Sequence, residues 1–214
     1  LYTRDTKGRI TQVQTRATAT ATLVTLMSGM QYEPFGSLKQ GIYGNTLSFT
    51  ANWGNDARLA SRRVYKTSGG ANTSMLSYAY DNADNMTGIT DAVTPSASTT
   101  YAYDPVERLT RIDGTLAGGH GREDHLHDRN GNRLAVERRT LATDATPVST
   151  DVYTTTPGTN RLASITSVAG TRSIAYDARG NTASETRPGG LSVTASYDAH
   201  ARLTGYTQGA TSLT

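Results

Sequence analysis

A short tyrosine–aspartate motif recurs along nearly the whole chain, and this repetition limits the available folds more than any other feature. The four best copies share the pattern Y-D-x-x-G/x-R/N-L-T and occupy residues 80–87, 103–110, 176–182 and 197–204. Degraded copies begin at residues 5, 53, 127 and 153. From residue 53 onward the anchor residues lie 21 to 27 residues apart. Such regular spacing predicts an array of similar small units that must pack on one another to be stable.

Each unit has the pattern of a β-hairpin. The run Tyr78-Ala79-Tyr80 places two aromatic rings on one face of a strand, because side chains two residues apart point the same way. The next four residues, as in Asp177 to Gly180, have turn chemistry: Asp can cap a turn, and Gly tolerates positive φ. A Leu-Thr or Met-Thr pair then begins the returning strand. The chain is therefore predicted to be all-β, with tandem antiparallel hairpins.

A lone hairpin would expose an apolar face and two strand edges, so neighbouring hairpins are expected to join edge to edge in one continuous sheet. We expect the repeated tyrosines to form a ladder across that sheet, tyrosine beside tyrosine, as favourable cross-strand pairs. Such a sheet also accounts for the composition. Apolar residues make up only 36% of the chain, and the aromatic residues are 12 Tyr, 2 Phe and 1 Trp.

Charge and residue usage exclude several classes of function. The 21 basic and 18 acidic residues give a net charge of only +3, which does not favour a nucleic-acid partner. There is no Cys, so disulfides and cysteine-based zinc sites are excluded. No apolar run approaches the roughly 20 residues of a membrane span. The chain begins at Leu1 without a signal peptide, and we expect it to be a fragment of a longer polypeptide.

The repeats resemble those of the Rhs/YD-repeat family, which includes bacterial Rhs proteins, the C component of Tc toxins and the extracellular region of teneurins. A second motif supports the resemblance. Tyr32-Glu-Pro-Phe-Gly36, followed by Gly44-Asn-Thr-Leu47, is similar to the Y-x-P-F-G and G-N-G-L runs of bacterial Rhs shells. The resemblance covers almost the entire chain. It identifies residues 1–214 as one YD-repeat shell segment of about eight units, with the best copies at 78–90, 101–112, 174–187 and 195–207.

The resemblance implies a sheet that curves and spirals as part of a hollow β-cocoon. It implies a structural, non-enzymatic role in a bacterial protein that is secreted or displayed at the cell surface, with a C-terminal toxin domain encapsulated or presented. The implied partners are the remainder of the polypeptide, a secretion apparatus or cell-surface glycans, and no cofactor. Bacterial members end the shell with a D-P-x-G cleavage motif. Asp104-Pro105 is followed by Val106 and Glu107 and does not match this motif, so we do not expect autoproteolysis at this site.

The predicted structural signature consists of the anchor tyrosines, their aspartates and one turn glycine. A repeating Asp is expected to serve the turn rather than catalysis. The signature residues are Tyr80, Asp81, Tyr103, Asp104, Tyr176, Asp177, Gly180, Tyr197 and Asp198.

The richest polar cluster lies between His120 and Asp128. His125, His127 and Glu123 would share one face of a strand, at a spacing that could chelate zinc or nickel. The favoured interpretation is different, because the two histidines occupy the positions of Tyr101 and Tyr103 in the preceding unit and would replace tyrosine in the sheet. No metal site is therefore predicted. The EF-hand pattern also fails in this region.

Two other functional hypotheses stay open at this point. Exposed Tyr and Arg could make the chain an extracellular adhesion or carbohydrate-binding module. A hydrolase using the His120 to Asp128 cluster ranks last, because the chain has no G-x-S-x-G elbow, no Cys and no phosphate-binding loop.

Overall fold

A computed structural model describes residues 1–209 and 211–213. The chain divides into two compact units, residues 1–101 and residues 102–214, and each is described by itself. The boundary falls within strand β9 (Thr99–Tyr103). Both units are built from antiparallel strands with very little helix. The helices of the described residues are single 3₁₀ turns, and none could span a lipid bilayer.

The first unit consists of eight strands and the start of β9. Its strands are β1 (Tyr2–Arg4), β2 (Ile10–Thr15), β3 (Val24–Tyr32), β4 (Leu38–Tyr43), β5 (Leu47–Trp53), β6 (Leu59–Lys66), β7 (Asn72–Tyr80) and β8 (Met86–Asp91). A 3₁₀ turn at Pro95–Ala97 precedes β9.

The second unit continues the same arrangement from the end of β9 onward. Its strands are β10 (Leu109–Gly114), β11 (Arg122–His127), β12 (Arg133–Arg139), β13 (Ser149–Thr155), β14 (Leu162–Ser167), β15 (Gly170–Tyr176), β16 (Thr182–Thr186), β17 (Ser192–Tyr197), β18 (Leu203–Gln208) and β19 (Thr211–Leu213). A 3₁₀ turn at Ala117–Gly119 lies between β10 and β11.

Within each unit, every strand pairs antiparallel with the next one along the chain. In the first unit Ser77 of β7 is opposite Ser61 of β6 and Thr90 of β8. In the second unit Ser164 of β14 is opposite Ser173 of β15. The prediction of an all-β fold made of tandem antiparallel hairpins is confirmed.

In several hairpins a β-bulge lies at the end of the anchor strand, between the anchor aromatic and the residue before it. Tyr80 is opposite Met86, whereas Ala79 is opposite Gly88, so Thr87 is an extra residue in the returning strand. The same one-residue shift immediately precedes Trp53, His127, Tyr176 and Tyr197. A bulge bends a strand and increases its twist. The repeated Leu-Thr or Met-Thr pair therefore supplies a bulge as well as a strand start.

One face of the sheet carries the anchor aromatics, and we call it the tyrosine face. It carries Tyr32, Trp53 and Tyr80 in the first unit, and Tyr153, Tyr176 and Tyr197 in the second. The buried apolar side chains lie on this face too: Ala51 is 3% exposed, Val136 is 2% exposed and Val193 is 8% exposed. The small cores of the two units therefore sit at the middle of their strands, on the tyrosine face.

The opposite face is rich in small polar and charged side chains. Ser164, Ser173 and Thr194 lie there in the second unit, and Ser61 and Ser77 lie there in the first. Thr and Ser suit a pleated surface in contact with water. This division of the two faces explains how a sheet forms with so few aliphatic residues.

Candidate functional site

The aspartate of each motif closes its own turn. One carboxylate oxygen of Asp177 accepts hydrogen bonds of 2.9 Å from the backbone N–H groups of Arg179 and Asn181. Its other oxygen accepts a bond of 2.8 Å from the side-chain amide of Asn181. Asp81 makes the same set of contacts with its own turn. The motif thus satisfies backbone donors that the sheet leaves unpaired.

The fourth residue of each turn has a left-handed backbone conformation. Gly180 fills this position at φ 91° without steric cost. Ala57, Asp84, Glu107 and Ala201 fill it in other units, with φ between 58° and 67°. A side chain in this region is strained by roughly 1–2 kcal/mol. The glycine position of the sequence pattern therefore requires a positive φ. Hairpins with another residue at this position adopt that conformation with strain.

Five anchor aromatics are hydrogen-bonded to the hairpin before them. The Tyr80 hydroxyl donates to the carbonyl oxygen of Leu59 at 3.1 Å, and the Tyr176 hydroxyl donates to that of Leu162 at 3.0 Å. The acceptor is the first residue of the preceding returning strand. The same contact joins Tyr32 to Ile10 (2.7 Å), Trp53 to Leu38 (3.1 Å) and Tyr197 to Thr182 (3.2 Å). We call this series of contacts the tyrosine seam.

Arginine side chains reinforce the seam from the turns. The Arg58 guanidinium lies 5.0 Å from the ring centre of Tyr80 and donates to the carbonyl oxygen of Asp81 at 3.1 Å. It also binds the Asp56 carboxylate of its own turn at 2.6 Å. The Arg58 guanidinium therefore contacts its own turn, the aromatic ring of the following hairpin and the turn after that ring. Arg9 over Tyr32, Arg133 over Tyr153 and Arg161 over Tyr176 make the same ring contact.

These contacts differ from the expected ladder of neighbouring tyrosines. The ring–ring contacts found in the described residues are Phe35 with Trp53 and Tyr43 with Phe49, and neither joins two anchor tyrosines. A returning strand separates successive anchor strands, so their rings are two strand spacings, about 10 Å, apart. The guanidinium at the start of that returning strand fills the gap. Tyrosine therefore contacts arginine and main chain rather than tyrosine.

The remaining signature residues occupy equivalent places. Asp104 accepts from the backbone N–H groups of Val106 and Arg108, both at 3.0 Å, and from the Arg108 side chain at 2.6 Å. Asp198 accepts from its turn in the same manner. Tyr103 ends the strand immediately before the Asp104 turn.

The turn aspartates are held as charged acceptors. The hydrogen bond from the next asparagine side chain is the main reason that the pKa of Asp81, like that of Asp177, lies below its usual value. A backbone N–H of the turn is the main reason that the pKa of Asp104, like that of Asp198, is lowered. A carboxylate that is ionised and already fully engaged serves as a turn cap rather than as a general acid.

The histidine-rich strand does not bring a metal-binding set together. Glu123 is bound by Arg138 at 2.9 Å and lies 3.7 Å from the Nε2 atom of His125. Arg138 also binds Asp151 at 2.8 Å. His125 and His127 both lie on the tyrosine face. In the part of the chain that the structure describes, no group of three His, Cys, Asp or Glu side chains is placed to hold a metal ion.

The role of the arginines in the seam is not apparent from the sequence alone. Arg58, Arg108 and Arg202 stand at the same place of the motif, four residues after the turn's first residue, so the pattern itself contained the signal. Arg108 donates to the carbonyl oxygen of Asp128 in the next turn at 2.7 Å. Arg179 was outside the pattern, yet it reaches the carbonyl oxygen of Ala199 at 2.7 Å. Only the paired strands reveal that Arg58, Arg108 and Arg179 reach the following hairpin.

The chain is similar in structure to solved Tc toxin chains. Over 98% of its length it matches a chain of the Photorhabdus luminescens Tc holotoxin pore with a TccC3 variant, at a TM-score of 0.70 and 15% identity. It matches TcdB2-TccC3-Cdc42 over 97% of its length, at a TM-score of 0.68 and 14% identity. TcdB2-TccC3 without its hypervariable C-terminal region gives a TM-score of 0.67, 15% identity and 97% coverage.

The chain spans only 12% of the length of each of these three solved chains. No protein-family model matches the sequence, and no curated protein is similar to it. At this level of identity the likeness establishes the fold. The sheet of tandem hairpins, its repeated Tyr-Asp turns and these structural matches agree: the chain has the fold of the Rhs/YD-repeat shell.

Proposed function

We propose that residues 1–214 form a single structural shell segment of an exported bacterial Rhs/YD-repeat protein, and that the segment is not an enzyme. The carrying observation is the tyrosine seam. In Tyr32, Tyr80, Tyr176 and Tyr197 the hydroxyl is used to attach one hairpin to the one before it. The turn aspartates are likewise engaged with their own backbone. These repeated hydroxyls and carboxylates are therefore occupied in holding the sheet together.

The shell would encapsulate or present a C-terminal toxin domain located outside residues 1–214. The Tc toxin chains that share this fold support the proposal. The division of the sheet into the tyrosine face and an opposite face rich in small polar and charged side chains supports it too. The partners would then be neighbouring YD repeats and the toxin domain of the same polypeptide, with a secretion apparatus or surface glycans contacted from outside. Neither nucleic acid nor a membrane span has a role in it.

Limited proteolysis of the full-length polypeptide that contains residues 1–214 tests this function. The toxin domain should resist protease while the shell is intact. A seam variant, Tyr80→Leu combined with Tyr176→Leu, should make that domain accessible at protease concentrations that spare the parent. Tyr2→Phe is the matched control, because Tyr2 is 60% exposed. Equal sensitivity of the downstream domain in parent and seam variant would refute encapsulation.

A glycan array with the purified chain tests the adhesion hypothesis separately. Saturable binding that is lost on replacing an exposed Tyr would support a carbohydrate-binding module. The committed hydroxyls of Tyr80 and Tyr176 favour the structural role, because they donate to main-chain carbonyls instead of facing a ligand.

A further inference from the structure

His125 is a buried side chain whose ring nitrogens make no hydrogen bonds. Its side chain is only 8% exposed, and both Nδ1 and Nε2 are buried without a partner. The closest carboxylate oxygen, on Glu123, is 3.7 Å from Nε2, which is too far for a hydrogen bond. A neutral imidazole tolerates this position far better than an imidazolium, because an unpaired buried charge is costly.

The repeat itself does not require a titratable group here. Tyr78 and Tyr101 occupy the matching position in two other units, two residues before the anchor aromatic. Both carry a phenol ring rather than a basic imidazole. His125 thus places a proton-binding ring where the architecture needs only an aromatic one, directly across from Val136, the most buried side chain of the second unit.

Charged side chains of both signs surround the ring. His127 and Glu123 face it from its own strand, and Arg133 and Arg138 face it from β12. The Glu123 carboxylate is already bound by Arg138. Glu123 favours an imidazolium, but burial and the charges of Arg133, His127 and Arg138 disfavour it. On β13, Asp151 is bound by Arg138, and on β10 the uncharged Ile112 lies opposite Glu123 on this face.

From this geometry we infer that His125 is an acid-responsive switch, whose protonation loosens the β11–β12 hairpin when the surroundings become mildly acidic. The hairpin includes the buried Val136 and the Arg138 bridge to β13, so loosening it weakens the middle of the second unit. This switch does not depend on the proposed toxin domain.

The direction of the pH effect follows from the charge balance. Burial is the main reason that the pKa of His125 lies below its ordinary 6.5, and the charge of Arg133 adds to it. The unfolded chain therefore takes up the proton first as the pH falls. The stabilising effect of the neutral ring is fully present above 6.5, and it is lost as the pH falls from there to the folded-state pKa. Further acidification has no additional effect through this group.

Hydrogen exchange measured by mass spectrometry on the 214-residue chain tests the switch. Exchange is compared at about pH 7.5 and about pH 5.5, either side of the ordinary histidine pKa, after correction for intrinsic rates. Peptides from residues 122–139 should lose protection in acid, by up to about tenfold for each unit of pKa depression. Peptides from residues 162–186 should not change. Equal responses in both regions would overturn the inference.

Two variants isolate the imidazole. His125→Phe keeps a buried ring without nitrogens and should abolish the acid response of residues 122–139. His200→Gln is the control, because His200 lies in an exposed turn, and it should leave that response intact. A direct NMR titration of the His125 ring in the parent chain needs no variant. A ring that titrates at or above 6.5, or an acid response that survives in His125→Phe, would refute the switch. Either result leaves the shell proposal untouched.

Discussion

Removing one hydroxyl from the tyrosine seam provides a quantitative test of how successive hairpins are joined. Tyr80→Phe keeps the ring that lies beside Arg58 and deletes only the donor that reaches the carbonyl oxygen of Leu59 at 3.1 Å. A net protein hydrogen bond is worth about 0.5–1.5 kcal/mol, and an acceptor left without its donor in a partly buried place costs a similar amount. We therefore expect the free energy of unfolding of the first unit to fall by about 1 kcal/mol.

The single tryptophan makes this measurement local. Trp53 lies on the tyrosine face of the first unit, and its indole N–H donates to the carbonyl oxygen of Leu38 at 3.1 Å. Its fluorescence during urea unfolding should report a lower midpoint for Tyr80→Phe with an unchanged slope. Tyr2→Phe, at a side chain that is 60% exposed, should change the free energy by less than about 0.5 kcal/mol. Equal midpoints for the two variants would show that the seam does not stabilise the unit.

Three further outcomes are expected. Glu107→Gly should stabilise the chain by about 0.5–1 kcal/mol, because Glu107 has φ 63° and glycine relieves the strain at a partial entropic cost; thermal unfolding measures it, and a lower Tm would contradict it. Tyr176→Phe should lower the free energy of unfolding of the second unit by about 1 kcal/mol, seen as faster hydrogen exchange around Leu162. Asp177→Asn should reduce the acid sensitivity of residues 174–187: the pKa of Asp177 is lowered in the fold, so its stabilising effect is present above 3.8 and is lost as the pH falls through the folded-state pKa. Hydrogen exchange of those residues as a function of pH measures this effect, and an identical acid profile in parent and variant would count against it.

The hairpins and their turns could be predicted because their signals are local. Alternation around Tyr80 and a turn-forming Asp81 suffice to define a hairpin, and both depend on residues within a few positions. The succession of hairpins along the chain follows from the regular spacing of these signals. Antiparallel pairing of neighbouring strands then follows from the short connections.

The contacts between successive hairpins could not be predicted in the same way. Spacing along the chain gives the order of anchor tyrosines, but it does not state that a returning strand lies between them. That strand moves Tyr80 away from Trp53 and places Arg58 beside the Tyr80 ring instead. The bulge at Thr87 was also hidden, since an extra residue in a strand leaves the hydrophobic pattern of its neighbour unchanged. His125 resembled a metal ligand by type and spacing, and only the position of Arg138 shows that Glu123 is occupied.

The direction of the seam has a consequence for how such a chain comes into being. Each donor belongs to a later hairpin and each acceptor to the hairpin before it, separated by only 14 to 22 residues. Closing loops of this size takes little time and little entropy. A hairpin can therefore lock onto its predecessor as soon as it leaves the ribosome, without waiting for residues still to be synthesised. Growth from the amino end, one hairpin at a time, would leave only the edges of the first and the newest strand open during synthesis, however many repeats the full polypeptide contains.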